Sequence, residues 1–103
     1  MSGARVIAAL TATGATDTMG PNCTPSYEKT CNVEVSGTFV ATVQLERLLP
    51  GETVWKPITA AGTQLYVWTA PASEQFSESE PGTLYRVNCT AYTSGTVNVR
   101  ISQ

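Results

Sequence analysis

The stretch LYRVNCTAYTSGTVNVRIS, residues 84–102, decides the fold. Tyr85, Val87, Cys89 and Ala91 are apolar and alternate with Arg86, Asn88 and Thr90. Beyond Ser94 and Gly95, Val97, Val99 and Ile101 alternate with Asn98, Arg100 and Ser102. A period of two is what a strand with one buried face requires, because successive side chains leave opposite faces of the sheet. With a Ser-Gly pair between two such runs, the stretch predicts a β-hairpin. Cys89 falls on the apolar row and is expected as a small buried hydrophobe with an unreactive thiol.

The same grammar continues upstream. In TFVATVQLERL, residues 38–48, Phe39, Ala41, Val43 and Leu45 form one row and Val40, Thr42, Gln44 and Glu46 the other. LPGE follows as a turn, with Pro50 fixing φ and Gly51 accepting a positive φ, and TVWKPI returns as its second arm. GTQLYVWTAP, residues 62–71, carries bulky side chains on both parities, which predicts a strand covered on both faces by a second layer or a partner. Val6, Ala8 and Leu10 mark a first strand within residues 4–13, where the Ala- and Thr-rich composition leaves a helix as the alternative.

Counting gives about eight strands, with turn signals roughly every eight to twelve residues, the pattern of a sandwich or barrel. No sustained 3.6-residue period appears. The expected fold is all-β: a single-domain antiparallel β-sandwich over residues 1–103, jelly-roll-like, with an immunoglobulin-like arrangement as the alternative. Residues 14–30 stand apart. They are rich in Gly, Pro, Asn, Ser and Thr, with Pro21 and Pro25 removing two backbone donors, and predict a long loop or arm.

Composition narrows the function classes. Charged residues make up 14% of the 103-residue chain, well under the usual quarter, and Thr and Ser take their place. Such a surface can be covered by a neighbouring protein without desolvating many ions. Six Lys and Arg against eight Asp and Glu leave no basic stripe for phosphates, so nucleic acid is not an expected partner. The apolar run 6–10 is too short for a membrane span and its flank carries a single Arg, which reads as a strand rather than a leader. Synthesis in the cytoplasm, with reduced thiols, is the expectation. Three cysteines do not close a disulfide framework; Cys23 and Cys31, flanking CTPSYEKTC, are expected to be reactive or bridged to each other.

No catalytic constellation is legible. His is absent, which removes Ser-His-Asp and Cys-His arrangements, and there is no Gly-rich phosphate cradle. Glu74, Glu78 and Glu80 share one parity of an extended segment and read as a solvated face rather than an acid-base pair. Trp55, Tyr66, Trp68, Tyr85 and Tyr92 read as packing residues, with a sugar-stacking platform as the competing reading. The chain is expected to be neither an enzyme nor a carrier of a cofactor or metal.

SGTFVATVQLERLLPGETVWKPI, residues 36–58, followed by EPGTLYRVNCTAYTSGTVNVRISQ, residues 80–103, resembles the head decoration, or cement, proteins encoded beside the major capsid gene of tailed bacteriophages. There a strand of the type G-T-F-x-A-T-V-x-L-x-R leads through a Gly turn to a Trp, and a Tyr-Arg strand, a Ser-Gly turn and a terminal strand end the chain. The resemblance covers roughly residues 36–103 and implies a jelly-roll-like sandwich, no cofactor and no catalytic residues. It also implies a place on the capsid exterior, the major capsid protein as partner, and a homo-oligomer, dimer or trimer, matched to shell symmetry. In such a protein the 14–30 arm and the strand beside it would reach the shell, which makes Arg5, Val6, Pro21, Pro25 and Tyr27 the expected contact residues. A carbohydrate-binding module and a tail or baseplate component share the strand grammar and stand as alternatives.

Overall fold

The computed structural model describes residues 5–19, 29–78 and 82–102. In chain order the strands are β1 (Arg5–Leu10), β2 (Gly14–Ala15), β3 (Lys29–Ser36), β4 (Phe39–Leu48), β5 (Lys56–Pro57), β6 (Thr59–Ala60), β7 (Thr63–Gln64), β8 (Val67–Trp68), β9 (Ala72–Glu78), β10 (Leu84–Gly95) and β11 (Val97–Ser102). They form two larger sheets. Sheet A has the order β1-β11-β3-β9, sheet B the order β2-β10-β4-β5 with β8 also on β4, and β6 pairs with β7 as a separate hairpin.

The pairing runs from the outside of the chain inward. β1 pairs with β11, β2 with β10, β3 with β9 and β4 with β5, all antiparallel. The chain is therefore one long hairpin doubled at the turn after Leu48. It is rolled so that β11 also lies against β3 and β10 against β4. That winding is a jelly roll, as the strand grammar leads one to expect.

One local expectation is overturned. Residues 84–102 are not a hairpin: β10 belongs to sheet B and β11 to sheet A, and the two do not pair. The Ser-Gly pair marks a passage between sheets. A second passage, from β3 to β4, lies beside it, and Thr96 N–H donates to Thr38 O at 3.1 Å. Both passages need glycine. Gly37 (φ 103°) and Gly95 (φ 89°) lie in the left-handed region, and a Cβ on Gly95 would stand 2.2 Å from Thr38 O, one on Gly37 2.6 Å from Thr96 O.

The predicted rows fill the space between the sheets. Sheet A contributes Cys31, Val33, Val35, Phe76, Val97, Val99 and Ile101, and sheet B contributes Ala41, Val43, Leu45, Trp68, Tyr85, Val87 and Cys89, all buried. Each such aliphatic side chain stabilises the fold by about 1.5–3 kcal/mol through removal from water. Phe76 and Tyr85 meet across the sheets with centroids 4.7 Å apart and ring planes tilted by 59°. Ala91 leaves the row that Cys89 belongs to. A register shift between Cys89 and Ala91 turns Ala91 outward and brings Tyr92 to the half-buried position.

Three further expectations change. The arm does not begin at residue 14: β2 pairs with β10, Thr16 exchanges bonds with Val87, and Met19 N–H and C=O bond Tyr85 at 2.8 and 2.7 Å. The Met19 side chain is 2% exposed, a burial worth about 2 kcal/mol, so residues 14–19 are an edge of sheet B. Cys31 is not a loop thiol but a fully buried residue of β3; Cys23, and any bridge to it, lies outside the described residues. Residues 62–71 are not covered on both faces, since Leu65 and Val67 are exposed while Trp68 is buried.

Candidate functional site

The outer face of sheet B carries two unlike regions. The first is polar and closed. Glu46, on the outward row of β4, has a side chain only 6% exposed. Arg86 Nε donates to its Oε1 at 2.7 Å, while Gln44 Nε2 and Asn88 Nδ2 donate to Oε2 at 2.6 and 3.1 Å. Register explains the assembly: Arg86 stands directly opposite Glu46, and Asn88 opposite Gln44. Gln64 Nε2 donates to Gln44 Oε1 at 2.9 Å, and the Arg86 guanidinium lies 4.5 Å from the Trp55 ring centre. Burial alone would raise the Glu46 carboxyl, but the bonds from Gln44, Arg86 and Asn88 and the Arg86 charge outweigh it and hold it below its ordinary value. The cluster pins the 49–58 turn region to the sheet. Three donors converge on the one carboxylate, which fixes Glu46, Arg86, Gln44 and Asn88 to one another across β4 and β10.

The second region, at the other end of β4, is open and uncharged. Val40 is 59% exposed, and a shallow groove beside it is lined by Phe39, Val40, Thr42, Thr69, Ala91 and Thr93. Val67, 42% exposed, stands opposite Gln44 on the same outward face. The register shifts that turn Ala91 outward produce part of this groove. No lining residue carries a charge, so covering it would cost little desolvation.

The aromatic residues do not gather into a platform. Trp68 is in the core, and the Tyr66 ring lies with its centroid 6.2 Å from that of Trp68 and 6.1 Å from that of Phe76. Trp55 is on the opposite side of the sheet beneath Arg86, and Tyr92 donates its hydroxyl to Gly95 O at 2.7 Å. Glu74 is exposed, but it shares the row of the buried Phe76 and stands opposite Val33. Its solvation comes from its position on an edge strand.

Of the contact residues expected from the sequence, Arg5 is exposed at the start of β1. Val6 is half-buried and packs against the core, whereas Ile7 beside it is 68% exposed. Pro21, Pro25 and Tyr27 lie outside the described residues. Sequence reasoning passed over Ile7 and Val40 because single apolar residues on the outward row of a strand are common and carry no signal by themselves. Among the described residues no three His, Cys, Asp or Glu side chains gather as metal ligands. Comparison with protein-family models, curated proteins and solved structures finds no match.

Proposed function

We propose that the chain is a structural virion protein that decorates the outer surface of a bacteriophage capsid and stabilises the expanded shell by clamping adjacent major capsid subunits. The observation that carries this reading is the uncharged groove and its apolar rim, Val40 with Thr42, Thr69, Ala91 and Thr93, set on a rigid sheet face. Such a surface suits burial against a protein, and it would recur in every copy on a shell. Small individual contacts then act together, and anything that binds only the expanded shell shifts its stability by mass action. The strand grammar shared with head decoration proteins supports the reading, and by fold-level analogy so does the jelly roll, a winding used in capsid domains.

The test is retention on shells. Purified protein is mixed with expanded, undecorated capsids of the phage that encodes it and sedimented. The parent chain is expected to co-sediment and to raise the temperature at which the shells open. Val40→Lys, at an exposed position, should leave the fold intact and weaken retention by about tenfold or more, as expected for a charge buried without a partner. A parent chain that stays in the supernatant removes the proposal, and a Val40→Lys protein retained as tightly as the parent moves the contact off this face.

A further inference from the structure

Sandwiches leave strand edges with unpaired backbone groups, and proteins blunt such edges with short strands, proline, or charge on the core-facing row. Three of the four edges here are blunted. On sheet B, the β4 side ends on two strands of two residues each, β5, which includes Pro57, and β8, and β2 has two residues before its pairing along β10 is interrupted at Asp17 and Thr18. On sheet A, β9 is long but carries Glu74 on the row of Phe76 and Ala72, opposite Val33. Any strand added there would set its inward row against that carboxylate.

β1 is the exception. It has six residues, pairs among the described residues with β11 alone, and contains neither proline nor a register shift. Its inward row, Val6, Ala8 and Leu10, is wholly apolar and only half-buried, and its outward row is Arg5, Ile7 and Ala9. Ile7, at 68% exposure, is the most exposed large hydrophobic residue described.

We propose that β1 pairs antiparallel with β1 of a second copy, joining two A sheets into one continuous sheet in a closed twofold dimer. The other long edge cannot serve as the partner. Pairing β1 with β9 of another copy would place Glu74 in the row of Val6, Ala8 and Leu10, and that head-to-tail contact would propagate into open filaments. β1 against itself has no such conflict. Matching faces requires the numbers of paired residues to sum to an even value, which puts the twofold axis through Ile7 or Ala8. Arg5 then lies opposite Ala9 or Thr11, no charge faces a charge, and the three half-buried apolar residues continue into the same row of the partner. This proposal does not depend on the capsid reading.

Sedimentation velocity on the full chain, from micromolar to sub-millimolar concentration, tests it, together with amide hydrogen exchange across residues 5–10. The parent is expected to show a monomer–dimer equilibrium, with exchange in β1 slowing as the dimer forms. Ile7→Lys, which changes a side chain that is mostly in solvent, should keep the parent's β-sheet spectrum and raise the dimer dissociation constant by about tenfold or more. A parent that stays monomeric throughout overturns the proposal and leaves the edge to a foreign strand. A dimer unaffected by Ile7→Lys, or one without concentration-dependent protection of β1, overturns it too.

Discussion

Glu46 shows how a single residue ties the 49–58 region to the sheet. Its carboxylate is ionised in the fold below its ordinary pKa, because three donors and the Arg86 charge outweigh burial. Between the lowered folded value and the unfolded value of about 4.3, the unfolded chain holds the proton and the folded chain does not. Stability therefore rises with pH through that window. The contribution is complete above the unfolded value and is lost as pH falls through the folded one. Urea titrations from neutral pH down to acid should show this loss in the parent, and Glu46→Gln should flatten that limb. At neutral pH the substitution should cost about 1–3 kcal/mol, since it leaves Arg86, whose side chain is 26% exposed, without its anion. An unchanged acid limb in the variant would show that other carboxylates set it. None of this was legible in the sequence: Glu46 and Arg86 are distant in the chain, and a charged residue on the polar parity of a strand is what solvent alone would select.

At the scale of elements, parity was legible and pairing was not. The rows Phe39, Ala41, Val43, Leu45 and Val97, Val99, Ile101 were readable because alternation is local, one residue against the next. The apparent hairpin at residues 84–102 failed because a Ser-Gly pair serves equally as a tight turn and as a corner between sheets. Only the partners of β10 and β11, far away in sequence, decide which. Met19 was missed because one apolar residue in a polar run carries no period. The corner itself is testable. Gly95→Ala would combine a left-handed backbone with a Cβ 2.2 Å from Thr38 O, and should cost about 3 kcal/mol or more. Gly51→Ala has a similar φ, 84°, and no atom within 4 Å of the new Cβ, so it should cost about 1 kcal/mol. Equal losses in the two variants, measured by denaturant unfolding, would mean that the two passages are not packed as described.

On the scale of the whole molecule, the jelly roll separates surface regions of unlike chemistry. The outer face of sheet B is divided between the clamp around Glu46 and the uncharged groove at Val40, and sheet A ends on one edge guarded by Glu74 and on β1, whose outer edge is unpaired among the described residues. Under the two proposals, the groove would meet the shell while the β1 edge joins copies to one another, and a twofold contact of that kind closes rather than propagates. The fold class was legible because about eight alternating runs with regular turns admit few architectures. The groove was not, because register shifts in β10 turn Ala91 into it and a period-two reading places Ala91 in the core. Cryo-electron microscopy of the virion on which the chain is proposed to sit tests the central claim most directly. The account predicts jelly-roll density on the outside of the capsid, in many symmetric copies, with the Val40 face of sheet B against the major capsid protein. Density confined to the tail or baseplate, or capsids bare of the chain, would contradict it.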